Sequence, residues 1–476
     1  MRRVLLIYRQ GRLRPHAFAG LLVLASLVCG SAMGQQSDAA ESSLTTSSTQ
    51  AQLAPPATPI VVHITLSEAE KLARLVEPTW LTQLAARGSA VYDRRLALAG
   101  LLPQVNARAS ALYTQPNGVP DSGPLPGTVG PVFIANNSVH EYVTQGIATE
   151  KLSVAGAVRI RQANALTRQA RAQAEIALRG LHVAVASDYF SVLAAEQKVA
   201  AAQSAEEESK RFVDLTRKLE GGREVAHADV IKAELQWEQR QRDAADARQN
   251  LLAAKVNLGV LLFPNPATPY ELDNTLNQQT EVPAEAQVQQ MAVQSNPVLG
   301  AALAAEQAAS ADVKASWAQY LPALTLDAVY GIDAPYFQTT GNNGRKFLGY
   351  SLGAGVDIPI WNWFSTQDRI QQSRLRARLA KATLDSTQRQ LVADLDQSYG
   401  ELQTASAALT SLQASVGQSQ ESLHLTTLRY QSGEATALEV VDAQNTFLAT
   451  ELAAADGAVR YHLARANLER LTGILP

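Results

Sequence analysis

Glu439 and Asp442 are the polar pair whose type and spacing could do chemistry in this 476-residue chain. Three residues apart, they share one face of a helix. Carboxylates gathered at a narrow opening select cations and repel anions; on an isolated helix the same two groups are a solvated face. Nothing comparable points to catalysis. The seven histidines are scattered and none forms an i, i+4 ligand pair. There is no Walker loop and no Gly-x-Ser-x-Gly. His182, His424 and His462 lie in helical stretches, where a packed or solvated histidine is the ordinary reading. No enzyme activity, cofactor or metal is expected, and no Met- or His-rich metal tract appears.

The elements that position the acidic pair are written twice. Arg168, Arg179, Tyr189, Thr216 and Asn257-Leu258 recur as Arg378, Arg389, Tyr399, Thr426 and Asn467-Leu468 at a constant spacing of 210. Upstream, Pro78 and Leu102-Pro103 match Pro297 and Leu321-Pro322 at 219, the first copy having the longer loop after its first strand. Residues 60–268 and 269–476 therefore read as two copies of one architecture. Each opens with a helix, from about Leu66 with Pro78 as a break and from about Pro283 with Pro297 as its counterpart. Two strands follow, joined by loops at Thr114–Ser138 and Asp333–Arg345. Then comes a long helical hairpin. Arg159–Leu219 has no proline and one glycine, roughly 90 Å of helix. Gly221-Gly222 reverses it and Asp229–Leu262 runs back. The second hairpin rises from Asp368, turns at Ser432-Gly433 and returns through Glu439–Leu471, which places Glu439 and Asp442 at its tip. These helices are rich in Ala, Gln and Arg, so they suit narrow coiled-coil-like seams rather than a thick core.

The strands alternate. Within Leu321–Ile360, Leu324, Leu326, Ala328, Tyr330 and Ile332 form one parity, and Leu348, Tyr350, Leu352, Ala354, Val356, Ile358 and Ile360 another, against small or polar partners. Gln104–Tyr113 shows Val105, Ala107, Ala109, Ala111 and Tyr113 in the same way. Around Glu141–Leu152 the corresponding parity reads Tyr142, Thr144, Gly146, Ala148 and Glu150, a weaker pattern. Each run is about the ten residues that a tilted membrane-spanning strand needs. A soluble sandwich strand also alternates, but this chain has no second sheet to cover an apolar face. Arg159, Arg161, Arg168 and Arg171, echoed by Arg369, Arg374, Arg376 and Arg378, follow the strands; they read as membrane-surface anchors or as ordinary helix solvation.

The first 34 residues read as an export signal: five arginines, an apolar run at Ala17–Val28, and Ala32-Met33-Gly34 before Gln35. Removing its arginines takes the 41 basic residues to 36 against 44 acidic, a formal charge near −8. That balance argues against nucleic acid as a partner. The only cysteine, Cys29, falls in this segment. Its lipidation is disfavoured, because Val28 precedes it and Ser26 occupies the place a lipidation signal gives to leucine. Residues 35–59, rich in Ser, Thr, Gln, Ala and Pro, read as a disordered arm.

The order helix, strand, strand, long helical hairpin, twice over, resembles the TolC-like outer-membrane efflux proteins. The likeness covers nearly all of residues 60–474. It rests on the Leu-Pro strand starts at 102–103 and 321–322, on Ile358-Pro359-Ile360-Trp361-Asn362, and on the tip Tyr430-Gln-Ser-Gly433-Glu-Ala-Thr-Ala-Leu-Glu439-Val-Val-Asp442-Ala. The resemblance implies an α+β membrane protein. In it a homotrimer forms a twelve-stranded β-barrel, four strands per chain, continued by a long α-helical barrel across the periplasm. It implies a passive, gated exit duct of a tripartite efflux or type I secretion system, in the outer membrane. The partners would be outer-membrane lipid, a periplasmic adaptor that meets the tips at Gly221, Gly222, Ser432 and Gly433, and an inner-membrane pump. Four strands cannot close alone and an open edge is not tolerated in lipid, which agrees. By resemblance, Glu439 and Asp442 form the closed periplasmic constriction, with Tyr430 and Asp229 in its lock; Ala435 stands where that lock has an arginine. The rival reading is a periplasmic coiled-coil adaptor or scaffold without a pore. Cargo is left open among drugs, metal ions and polypeptides.

Overall fold

In the computed structural model the described residues are 62–113, 140–282, 284–334, 337–341, 344 and 346–473. The export signal, the N-terminal arm and the Thr114–Ser138 loop lie outside them. The first half of the chain runs β1 (Val62–Ile64), α1 (Leu66–Val76), α2 (Pro78–Ala99), β2 (Gln104–Tyr113), β3 (His140–Leu152), α3 (Val154–Gly221) and α4 (His227–Leu262). The second runs β4 (Tyr270–Leu272), α5 (Glu285–Ser295), α6 (Pro297–Trp317), β5 (Ala323–Ala334), β6 (Leu348–Asp357), α7 (Ser365–Gln431) and α8 (Ala437–Thr472).

Local chemistry sets the boundaries. Thr65 and Glu68 form a capping box that starts α1. Pro78 and Pro297 occupy the first helical turn, where a missing N–H costs nothing. Glu77 accepts from the Trp80 N–H at 2.6 Å, and Asn296 accepts from the Val298 and Leu299 N–H groups at 3.0 Å each. Ser153 caps α3 through the Gly156 N–H at 3.1 Å. Uninterrupted by proline, the 68 residues of α3 extend about 100 Å.

Four strands make one antiparallel sheet in the order β2-β3-β5-β6. The register pairs Val105 with Ala148, Ala148 with Ala328, and Ala328 with Leu352. Directly opposed residues project to the same side, so the alternating sets fall on one continuous apolar face. Tyr142, Thr144, Gly146, Ala148 and Glu150 join it; Glu150 stands opposite Leu326. The opposite face is polar, and there Lys151 lies 3.9 Å from Asp357. Gly331 is needed on this face because a Cβ would sit 2.1 Å from the Thr144 carbonyl oxygen. Ile358–Ile360, expected as the strand's end, lie beyond β6, whose outer edge has no strand beside it among the described residues to supply ladder hydrogen bonds.

Among the described residues no layer covers the apolar face: Val105, Tyr330, Tyr350, Leu352 and Val356 are each more than half exposed. Where the sheet gives way to helices, Ile360, Trp361, Trp363 and Phe364 are also bare. Trp317 and Tyr320 join this aromatic band from the end of α6, their rings 5.8 Å apart.

Near the strands, α3 lies between α2 and α6, and α6 between α3 and α7; farther away, α3 lies between α4 and α8, and α8 between α3 and α7. The outer helices expose apolar side chains: Leu235, Leu252 and Val260 on α4, and Leu375, Leu379 and Val392 on α7. Between them the seams are thin and alanine-rich, with Ala194, Ala405, Ala455 and Ala458 buried beside Tyr189 and Tyr461.

The helical histidines are packed or solvated. Buried His182 bridges Glu70 of α1 at 2.7 Å and Glu469 of α8 at 3.2 Å. Burial opposes its charge, but these two carboxylates prevail and raise its pKa to about 9. His462 stacks on Phe190 and bonds the Leu276 carbonyl at 2.9 Å; His424 is exposed. Among the described residues no group of His, Cys, Asp and Glu has a metal-binding arrangement.

Candidate gate at the hairpin tips

Both hairpins turn by the same hydrogen bonds, 210 residues apart. Gly222 and Ser432 donate to Lys218 and Leu428, Arg223 and Gly433 to Glu220 and Tyr430, and Glu224 and Glu434 to Leu219 and Arg429. The third position is left-handed in each turn, with φ 61° at Arg223 and 78° at Gly433. Glycine adopts that conformation freely, whereas arginine there is strained. Gly221, Gly222, Ser432 and Gly433 are all exposed.

Behind the turns the four long helices are tied together. Phe212 and Val213 of α3, Ala233 of α4, Tyr430 of α7, and Ala437, Val440 and Val441 of α8 form one buried cluster. Tyr430 is 4% exposed, and its ring centroid lies 5.2 Å from that of Phe212. Its hydroxyl donates to Thr216 Oγ1 at 3.5 Å. Burial pushes the phenol's pKa up, and the charge of Asp229 adds to the rise. Of the residues that the resemblance places in a lock, Tyr430 bonds Thr216, and no hydrogen bond or ion pair joins it to Asp229 among the described residues. Half-buried Ala435 packs against the cluster.

Glu439 and Asp442 both lie exposed on the first turns of α8. Their surroundings differ. Glu439 belongs to a capping box: it accepts from the Thr436 N–H at 3.1 Å, while Thr436 Oγ1 accepts from the Glu439 N–H at 3.3 Å. Arg429 stands 3.6 Å away and also donates to the Glu434 carbonyl. The Thr436 N–H foremost, then its hydroxyl and the Arg429 charge, hold the Glu439 carboxyl below the usual range. Asp442 has no hydrogen-bond or ion-pair partner among the described residues. The first hairpin lacks this cap, since Ala226 occupies the place of Thr436.

Sequence reasoning missed Thr216, Phe212 and Arg429. Thr436-x-x-Glu439 was a readable signal, because it is the capping-box spacing. Nothing local announces that Arg429 reaches Glu439, since the turn between them must fold first.

Comparison with known proteins accords with this architecture. Residues 288–474 match the family model described as outer membrane efflux protein. The chain is 25% identical to the outer membrane protein TolC of Escherichia coli (strain K12), covering 86% of this chain and 83% of that one. Its fold superposes on the Campylobacter jejuni CmeC outer membrane channel with a TM-score of 0.71 at 15% identity, covering 86% and 85% of the two chains. The open state of the Neisseria gonorrhoeae MtrE outer membrane channel also gives 0.71, at 20% identity and covering 86% and 88%. Over residues 288–474 the chain thus matches the outer membrane efflux protein family, and over most of its length it is similar to outer-membrane channel proteins.

Proposed function

We propose that this protein is an outer-membrane channel of an efflux or secretion system, a passive exit duct whose hairpin tips form a periplasmic gate. One observation carries the reading: among the described residues a four-stranded sheet exposes a continuous apolar face and ends in two unpaired edges, β2 and β6. Bilayer removes water from such a face favourably but does not tolerate open edges. A periplasmic adaptor has no use for either feature.

Three copies solve both problems. The bare edges are unlike each other, β6 with α7 on one side and β2 with α2 and α4 on the other. Unlike edges join head to tail and close a ring. The homotrimer then has twelve strands around one pore, continued by the helices as a periplasmic tunnel. Residues 60–268 and 269–476 act as the two copies of its building unit, after an export signal at 1–34 and an arm at 35–59. Energy and selection come from an inner-membrane pump and a periplasmic adaptor that meets the exposed turns. No catalytic step belongs to this reading.

Glu439 and Asp442 in three copies place six carboxylates at the tip opening, and Arg429 offsets part of that charge. Tyr430, Thr216 and Asp229 hold the two hairpins of one chain together behind it.

The two sequence spacings also set the register between copies. Ile147 pairs with Val329 inside the chain; moving them by 210 and 219 pairs Asp357 with Ser110 of the next copy. Opposed antiparallel residues lie about 4.5–5.5 Å apart at Cα, within disulfide reach. With Cys29 replaced by Ser, Asp357→Cys/Ser110→Cys is expected to give a cross-linked ladder ending at three chains. Ser351→Cys/Ser110→Cys is expected to give none. Equal ladders, or none from a correctly inserted first pair, contradict the closure.

A further inference from the structure

Just beneath the aromatic band a groove of about 280 Å³ opens between α3 and α6. Arg161, Arg168 and Lys314 line it with Asn164, Gln307 and Ser310, and no carboxylate does. Arg168 donates to Gln307 Oε1 at 2.6 Å. Arg161 and Lys314 have no hydrogen-bond or ion-pair partner among the described residues. Like charges assembled without an acid repel one another, and an anion relieves them. Amide and hydroxyl groups between the cations suit the several acceptor oxygens of a phosphate.

The groove also faces the right way. Arg168 and Arg161 precede His182 by two and three heptads, so they stay within about 60° of its direction. His182 points at α1. A helix packed inside a tunnel would block it, so this side of α3 looks outward. Lys314 lies one turn before Trp317, and the Arg374 guanidinium stacks 5.7 Å over the Trp317 ring. Aromatic side chains of this kind mark the boundary between hydrocarbon and headgroups; the cations therefore sit at headgroup depth.

We propose that this groove binds the phosphate of an anionic phospholipid headgroup in the periplasmic leaflet of the outer membrane. The assignment of leaflet rests on the channel reading; the basic groove itself does not.

The test reconstitutes the protein in nanodiscs of equimolar phosphatidylglycerol and phosphatidylcholine, then counts retained lipid by native mass spectrometry after transfer to detergent. Wild type is expected to keep phosphatidylglycerol in preference to phosphatidylcholine. Arg161→Gln/Arg168→Gln/Lys314→Gln is expected to keep at least about five-fold less, on the scale of one basic residue's attraction to an anionic surface. Arg171→Gln, exposed nearby but outside the groove, is expected to match wild type. Should the triple variant fail to fold, Lys314→Gln alone is expected to show a smaller loss. Retention unchanged in the variants overturns the site. So does equal loss in Arg171→Gln, or displacement by equimolar inorganic phosphate, which makes free phosphate the ligand. Conductance of the same samples separates the two claims: a conducting channel that keeps no phosphatidylglycerol refutes the lipid site alone.

Discussion

The hydroxyl of Tyr430, on the second hairpin, lies 3.5 Å from the hydroxyl of Thr216, on the first. This contact is one of several that tie the two hairpins together, beside the buried cluster around it and the packing of α3 against α8. The Tyr430 ring supplies more than its hydroxyl, because it is buried against Phe212. Tyr430→Ala is expected to weaken local packing by about 3 kcal/mol and to raise open probability in single-channel recordings. Tyr430→Phe and Thr216→Val are expected to do so weakly, about 1 kcal/mol each. An open probability unchanged by Tyr430→Ala removes the residue from the gate.

The two tip carboxylates separate by role. Asp442→Asn is expected to lower cation selectivity and divalent block without altering stability. Glu439→Gln is expected to do both, since Glu439 also starts α8. Its depressed carboxyl pKa fixes the sign: the stabilisation is present above the unfolded-state value and is lost as pH falls through the lower folded-state value. Protection of the amides at 437–440, relative to their intrinsic exchange rates, is expected to fall only below about pH 4.5. Selectivity unchanged in the double variant marks these residues as a solvated face.

Strand parity gives a third expectation. Leu352 is 76% exposed on the apolar face and Ser351 lies on the polar one. Leu352→Arg is expected to cost about 2–4 kcal/mol of insertion near mid-bilayer, and Ser351→Arg to be tolerated. Membrane fractionation of both variants measures this, and equal harm reverses the assignment of faces.

His182 fastens α1 and α8 to α3 by its charge. A folded pKa of about 9 above an ordinary value of 6.5 means the contribution is fully present below pH 6.5 and is lost as pH rises through 9. Thermal unfolding of wild type is therefore expected to fall between pH 7 and 10. His182→Gln is expected to be less stable at pH 7 and to lose most of that dependence. The same pH slope in the variant assigns the effect elsewhere.

The strands and long hairpins were legible because their signals are local: alternation at Leu324–Ile332, absence of proline after Arg159, glycine at 433. Even the weak parity at Tyr142–Glu150 marked the face correctly, since pairing with β5 leaves no other choice. The tip contacts were not legible. Thr216 and Tyr430 are 214 residues apart, and only the packing of α3 against α8, and α8 against α7, brings them together. Arg429 and Glu439 meet across a turn whose geometry depends on Gly433. Glu70, His182 and Glu469 come from three distant segments, and histidine at a helical position gives no sign of its partners.

Planar-bilayer recording of the purified wild-type protein tests the central claim most directly. The account predicts discrete, long-lived, cation-selective conductance steps that divalent cations block from the side of the hairpin tips. A monodisperse, correctly inserted protein that conducts no ions contradicts it.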